Sequence, residues 1–363
     1  MLIHSLRRGG AERVALELSL GLQKKGHVVE IVAWVEVDEY QDVDYLCLKK
    51  SFLISKDHYN WISSIPNSSK LLKEKISEFK PDVIQAHSPN ISWLAAYTGV
   101  RSPYMHVLHG FGEITMAPTL KNRVLILIYR LAFKKLNAKI ATVSKSMISQ
   151  ASSFLQKDES QFFCLPNGVD LDKFKNCNKL NKNSEKLHIS MIGTLCSNKG
   201  QVLGIRAFEL LLKKNPNVIL EIVGDGPDVN QLILLAKELK ISENIVFRGR
   251  QNNIAEILAK TDILWQLSRS EAMPMVVLES LASGIPVVGF FVRGIKDVIL
   301  QNETGYMAPY GDIEQIVEYT HELMTVDMNY KKIAIQGRAH VATNFSLKSM
   351  IENHERNLLI MSK

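Results

Sequence analysis

Short apolar runs and amphipathic stretches alternate along almost the whole chain. Runs rich in β-branched and aromatic residues, bounded by polar or turn-forming positions, predict strands at 28–33, 82–86, 104–109, 139–143, 162–165, 188–192, 218–223, 245–247, 262–266 and 286–290. Apolar residues recurring every three or four positions predict helices over 11–24, 70–79, 201–214, 229–239, 253–260 and 313–324. Strand followed by helix, repeated, is the pattern of a parallel sheet covered on both faces, because each parallel crossover needs a helix-length connection. The alternation lapses at 176–186, Asn-Cys-Asn-Lys-Leu-Asn-Lys-Asn-Ser-Glu-Lys, which has little to bury and reads as an interdomain linker. The pattern thus predicts an α/β chain of two Rossmann-like, doubly wound domains, 1–175 and 187–344, facing a central cleft. A length of 363 residues exceeds one usual domain and suits two.

One helical stretch stands apart. Residues 120–136 combine a run of leucine and isoleucine with Lys121, Arg123, Arg130, Lys134 and Lys135 at its borders. Such a helix either lies on an anionic bilayer or is buried with its basic ends reaching water. Charge sharpens the question. Residues 1–180 hold 24 Lys+Arg against 17 Asp+Glu, while 181–363 hold 20 of each, so the entire net charge of +7 belongs to the first half. A one-sided basic half points to an anionic partner: a phosphorylated substrate or an acidic membrane surface. Nucleic acid has only the charge in its favour, since no reading module is present. A hydrophobic fraction of 46% with 22% charged residues is ordinary for a globular protein. Cys47, Cys164, Cys177 and Cys196 have no metal-ligand spacing and read as reduced thiols, which implies a cytoplasmic setting. Neither a secretory leader nor a membrane-spanning apolar run is evident.

Candidate chemistry gathers where strands hand over to helices. Glu271 and Glu279 sit eight apart around Ala272-Met273-Pro274-Met275, where Pro274 suits a helix start and Gly284 with Pro286 a helix end. The first turn of that helix offers unpaired N–H groups and a positive dipole end, a seat for phosphate, with a carboxylate on either side to grip hydroxyls. Two acids near a helix start are also favoured by the dipole alone. Gly9-Gly10 lies in a strand-to-helix turn, and Gly193-Thr194-Leu195-Cys196-Ser197-Asn198-Lys199-Gly200 repeats that design with an added cation. Gly224-Asp225-Gly226-Pro227 closes a further strand. Two Asp-x-Asp triplets, at 42–44 and 170–172, imitate a metal-binding motif and read as structural.

In order along the chain stand Gly9-Gly10-Ala11-Glu12-Arg13, Pro81-Asp82-Val83-Ile84, His109-Gly110, Ala141-Thr142-Val143-Ser144, Pro166-Asn167-Gly168-Val169-Asp170, the 193–200 loop, Gly224-Asp225-Gly226-Pro227, Val246-Phe247-Arg248-Gly249 and the Glu271/Glu279 pair. Each is common singly, but nine in this order resemble glycosyltransferase family 4, retaining transferases of GT-B architecture. The resemblance implies that Glu271 hydrogen-bonds the donor sugar, with backbone N–H groups of Ala272, Met273, Pro274's neighbours and Met275 near sugar and phosphates. It implies that Glu279 holds the ribose, that Lys199 beside Gly193 and Thr194 neutralises the diphosphate, and that Gly9 and Gly10 close over it. His109 matches the histidine beside the donor sugar, which makes His109, Glu271 and Lys199 the candidate catalytic set. It further implies no metal and no cofactor, a UDP-sugar rather than a GDP-sugar as donor, and a C-terminal helix at about 345–363 packing back on the first domain. The implied activity is transfer of a hexose or N-acetylhexosamine to a lipid-linked or polysaccharide acceptor of bacterial lipopolysaccharide, capsule or exopolysaccharide. That work belongs in the cytoplasm, peripheral to the inner face of the inner membrane. A GT-B nucleotide-sugar epimerase and a catalytically idle binding subunit are the alternatives. Three departures stand out: Thr194 replaces a frequent arginine, Ala272 a frequent glycine, and only residues 1–4 are left for the first strand.

Overall fold

A computed structural model of the chain describes residues 1–40, 45–56, 63–110, 119–175 and 186–363. It contains two compact units, Met1–Asn167 with Leu347–Lys363, and Gly168–Ser346. The segment 176–185, which carries Cys177 and nearly all of the expected linker, and the Asp-x-Asp triplet at 42–44 lie outside the described residues.

In the first unit β1 (Leu2–Ile3), α1 (Gly10–Lys24), β2 (Glu30–Glu36), β3 (Lys49–Ser55), α2 (Ile65–Phe79), β4 (Ile84–Ala86), α3 (Pro89–Thr98), β5 (Tyr104–Leu108), α4 (Leu120–Lys135), β6 (Lys139–Thr142), α5 (Ile148–Leu155) and β7 (Phe162–Cys164) follow one another. The strands form one sheet in the order β3-β2-β1-β4-β5-β6-β7, parallel throughout. β1 is short but lies inside the sheet, Leu2 opposite both Val32 and Ala86. The α-amino group of Met1 donates to the Glu30 carbonyl at 2.7 Å, and burial pulls its pKa down to about 6.

The second unit runs β8 (Leu187–Ile192), α6 (Gln201–Lys214), β9 (Val218–Val223), α7 (Val229–Glu238), β10 (Ile245–Gly249), α8 (Ile254–Lys260), β11 (Ile263–Gln266), α9 (Met275–Ala282), β12 (Val287–Phe290), β13 (Tyr306–Ala308), α10 (Ile313–Thr325) and α11 (Asp327–Asn344). Its sheet is parallel in the order β10-β9-β8-β11-β12-β13. Ile189, Met191, Leu220, Ile222, Trp265 and Phe290 fill the core against Phe208 and Ile205 of α6. α12 (Leu347–Met361) then belongs to the first unit.

Both sheets reverse strand order at one place, between β1 and β4 and between β8 and β11. Loops leaving such a reversal diverge to opposite faces and open a crevice at the carboxyl ends of the strands. Every loop singled out in the sequence as glycine-rich or acidic leaves one of these strands or a neighbour.

Some elements differ from the pattern's expectation, for physical reasons. β3 is an edge strand with a half-exposed face, so Lys49-Lys50-Ser51-Phe52-Leu53-Ile54-Ser55 lacks a continuous apolar run. β13 is three residues long. α3 buries Ile91, Ser92, Leu94, Ala95 and Ala96 and is apolar nearly all round, which hides the helical period. The strand expected from 28 starts at Glu30, and Val28 is 84% exposed.

Candidate functional site

In the second unit the site is a pair of interlocked loops at the β8/β11 reversal. Gly193–Gly200 connects β8 to α6, and the stretch from Leu267 to Pro274 connects β11 to α9. Gly200 adopts φ +73, and a Cβ there would run into the Leu267 carbonyl, so only glycine lets the loops approach this closely. Arg269 N–H donates to the Asn198 carbonyl at 2.8 Å, and the Asn198 amide donates to the Ser270 carbonyl at 3.0 Å. Gly224 and Gly226 serve the same end, each leaving no space for a side chain beside the carbonyls of Gly193 and Leu195.

These ties bring two of the expected residues together. Lys199 Nζ donates to Glu271 Oε1 at 2.6 Å, and the same oxygen accepts from Gln266 Nε2 at 2.9 Å. The Glu271 side chain is 10% exposed and that of Lys199 is 28% exposed, so the pair is partly desolvated and its charge-assisted bond correspondingly strong. The Lys199 stem passes 3.9 Å from where a Gly193 Cβ would stand. Thr194 is exposed; its carbonyl accepts from the buried Gln201 amide at 3.1 Å, fixing the loop where an arginine is frequent. Pro274 caps α9, and its carbonyl takes the Val277 N–H at 3.2 Å. Ala272 and the buried Met273 lead into that cap. Met275 begins the first turn, while Glu279, one turn on, is 2% exposed on the buried face. Asp170 is committed elsewhere: its carboxylate accepts from the N–H groups of Asp172 and Lys173 at 2.9 and 3.1 Å, a turn-forming role.

In the first unit Gly9 caps α1 and Gly10 opens it. The Tyr40 hydroxyl accepts from the Gly9 N–H at 3.1 Å and donates to the Gly9 carbonyl at 2.9 Å. Burial raises the Tyr40 phenol to about 12. Arg8 adds a bond from its backbone N–H to Glu39 Oε2 and one from Nε to the Glu39 carbonyl, both 3.0 Å. The short β1 therefore carries a loop held from outside. His109 follows β5, partly exposed, with its Nε2 2.8 Å from His87 Nδ1. Burial lowers His109 to about 4 and holds His87 well below the ordinary histidine range, assisted by neighbouring histidines.

Gln266, Gly294 and Tyr40 were invisible to motif reading. Gln266 ends an apolar strand, and only its position before the acidic loop marks it. Gly294, φ +76, lies against the carbonyls of Glu271 and Ala272 where no Cβ fits. Among the described residues no group of three or more His, Cys, Asp or Glu is arranged to hold a metal ion, and no helix is long and apolar enough to cross a membrane.

Two parallel sheets of nearly the same strand order, each with a glycine-rich loop at its reversal, are the two Rossmann-like halves of a GT-B fold, and the family models place the chain among the glycosyltransferases. Its first half matches the family model Glycosyltransferase Family 4 over residues 8–173, and its second the model Glycosyl transferases group 1 over 172–340. An uncharacterized glycosyltransferase of Haemophilus influenzae is 25% identical over 351 residues, 95% of this chain and 94% of that one. The UDP-Gal:alpha-D-GlcNAc-diphosphoundecaprenol alpha-1,3-galactosyltransferase of Escherichia coli is 25% identical over 277 residues, 70% of this chain and 68% of that one. The N-acetyl-alpha-D-glucosaminyl L-malate synthase of Bacillus anthracis is 32% identical, but over only 136 residues, 38% of this chain and 36% of that one. Among solved structures, HepE of Anabaena in complex with UDP and glucose superposes with a TM-score of 0.82 at 16% identity, covering 98% of each chain.

Proposed function

We propose that this glycosyltransferase is a retaining, metal-independent enzyme that moves a hexose or N-acetylhexosamine from a UDP-sugar to a lipid-linked or polysaccharide acceptor in bacterial surface-glycan synthesis. The observation that carries the reading is the Lys199–Glu271 pair, held at 2.6 Å between the two loops of the β8/β11 reversal and beside the start of α9. Glu271 is assigned to the sugar hydroxyls, with the Ala272–Met275 backbone nearby, Glu279 to the ribose, and Lys199 with Gly193 and Thr194 to the diphosphate. Gly9 and Gly10, at the first unit's own sheet reversal, and His109, after the neighbouring strand β5, are assigned to phosphate and sugar recognition. Cleavage of the sugar–phosphate bond develops negative charge on the leaving diphosphate. Lys199 and the α9 N–H groups are in place before that charge appears, which is how a fixed site lowers the barrier. Those groups already supply positive potential, so no divalent ion is required by this reading. Same-face attack, with the departing phosphate taking the acceptor proton, leaves the anomeric configuration retained.

Names among the relatives support donor and acceptor: the Escherichia coli galactosyltransferase is named for UDP-Gal and a diphosphoundecaprenol-linked acceptor, and HepE binds UDP and glucose. The acceptor side is assigned to the basic first unit. There α4 exposes Leu120, Val124, Leu127 and Leu131 on one stripe, with Lys121, Arg123, Lys134 and Lys135 also exposed, a surface suited to the anionic cytoplasmic face of a membrane.

Thermal melts with UDP- and GDP-sugars test the reading. A UDP-sugar at about 100 times its Kd stabilises the fold by about 2.7 kcal/mol, GDP-sugars do so less, and Lys199→Ala and Glu271→Ala abolish the response. Labelled sugar then appears on a glycolipid acceptor without added metal. A protein whose melting point no nucleotide sugar moves, or one that only isomerises the nucleotide sugar, is not this enzyme.

A further inference from the structure

His109 is the end of a buried chain of side chains. Its Nε2 meets His87 Nδ1 at 2.8 Å; His87 Nε2 lies 2.9 Å from the Gln85 amide nitrogen, which also lies 3.1 Å from Nδ1 of His354 on α12. Gln85, His87 and His354 are 2%, 3% and 1% exposed. Gln85 and His87 are two apart at the carboxyl end of β4 and so share one face of the sheet. Among the described residues no carboxylate, lysine or arginine enters these bonds.

The direction of every bond follows from donor chemistry. An amide nitrogen only donates, so both ring nitrogens facing it accept. A neutral imidazole carries one N–H, and burial keeps all three rings neutral at physiological pH, His354 being pushed down to about 3. His87, accepting at Nε2, therefore carries its proton on Nδ1 and donates it to His109 Nε2. His109, accepting there, carries its own proton on Nδ1. Rotating the amide would reverse the chain, but it would bury both amide N–H groups without an acceptor. Among the described residues the present orientation leaves only Gln85 Oε1 of this chain of groups without a partner, the lesser cost.

We propose that Gln85 and His87 are positioning residues that hold His109 in its Nδ1–H tautomer and fix its ring plane, with His354 locking the Gln85 amide from the C-terminal helix. The proposal rests on the reading of His109 as the sugar-side histidine. It adds a chemical consequence. With Nε2 engaged by His87 and Nδ1 protonated, His109 offers its ligand a hydrogen-bond donor and no lone pair. His109 then stabilises oxygen atoms of the substrate, and the acceptor's proton leaves by another route, the departing phosphate.

The test is spectroscopic first. Nitrogen-15 histidine labelling of the full chain, with long-range proton–nitrogen correlation, reports which nitrogen of each ring is protonated. The expected result is Nδ1–H at His87 and His109 and Nε2–H at His354, and an Nε2–H tautomer at His109 in the unaltered protein overturns the proposal. Gln85→Met keeps the length and removes the donor, and His354→Leu frees the amide to rotate. Both are expected to mix the His109 tautomers. In Gln85→Met kcat falls by at least about tenfold while the donor KM changes by less than about twofold. A folded Gln85→Met protein with the His109 spectrum and kcat unchanged also overturns it. The tautomer readout needs no substrate. A protein that transferred no sugar would thus sink the transferase reading and leave the tautomer to its own spectrum.

Discussion

Gly200 shows how much of the candidate site rests on a single backbone position. Its φ of +73 costs an L-residue about 1–2 kcal/mol, and a Cβ would in addition collide with the Leu267 carbonyl, a backbone group and not the end of a flexible side chain. Gly200→Ala is expected to lose at least about 2 kcal/mol in denaturant melts and the UDP-dependent stabilisation with it. A wild-type midpoint would show that the loops are not locked here. Tyr40 makes the matching argument in the first unit. Its phenol serves both the N–H and the carbonyl of Gly9, and with its pKa raised to about 12 it stays protonated through the working range. Tyr40→Phe should cost about 1 kcal/mol of stability and lower transfer activity more than it lowers the melting point. Equal activity at reduced stability would assign Tyr40 to the fold alone. The glycines were legible in the sequence because a strand-to-helix turn with a phosphate seat needs them. Tyr40 and Gln266 were not, since they act from 31 and 5 residues away, across contacts that only folding creates.

At the scale of elements, β4, β5 and α12 gather a cluster of neutral histidines, the buried His87, His106 and His354 and the partly exposed His109. Burial depresses each below the ordinary value of 6.5, His106 and His354 to about 3 and His109 to about 4. The unfolded chain therefore binds protons that the folded chain refuses once the pH drops below about 6.5. Stability falls from there down to the folded-state values, by up to about 1.4 kcal/mol per pH unit for each histidine. Glu30, Glu221 and Glu355, held below 4.5 by their partners, add their own loss only under that value. Melts at neutral pH and down to about pH 5 separate the windows: a marked fall above the carboxylate range is expected, and a flat profile there contradicts the neutral cluster. α4 carries the other element-scale prediction. Tyr129, Ala132 and Phe133 pack inward, while Leu120, Val124, Leu127 and Leu131 are 78%, 49%, 55% and 58% exposed, so one face of 120–136 is core and the opposite face is apolar but open. Arg130 reaches the Phe154 carbonyl and so belongs to the packed side. Binding to vesicles containing phosphatidylglycerol, with each basic residue near the surface contributing about 1 kcal/mol, should be lost in Leu127→Lys/Leu131→Lys without a change in melting point. Equal retention of both proteins on such vesicles would remove α4 from the membrane.

For the whole molecule, the repeated strand order made the fold readable from the spacing of apolar runs, whereas the partner of the last helix could not be read from any local pattern. α12 is the final element of the chain yet packs against α1 and β4 of the first unit. Two features attach it, and they differ in weight. Glu355 pairs with Lys25 at 2.7 Å and hydrogen-bonds His27 at 2.8 Å, but these partners are 38% and 36% exposed, and polar pairs so close to water contribute at most about 1 kcal/mol. Burial contributes more: Met350 and His354 are enclosed, and Ile351 presses on Gly21 so closely that a Cβ there would overlap its Cδ1 and stand 2.6 Å from its Cγ1. Gly21 lies within α1, where alanine ordinarily stabilises a helix by roughly 0.5–1 kcal/mol. Propensity and packing thus predict opposite signs for Gly21→Ala. Overpacking of a tight interface costs typically about 1–3 kcal/mol, and packing should win. The expected outcome is a net destabilisation larger than that of Glu355→Ala, with hydrogen exchange accelerating in β4, β5 and α12 while β8 to β13 keep their protection. If Gly21→Ala raises the melting point instead, α12 is held by its charges and not by its fit.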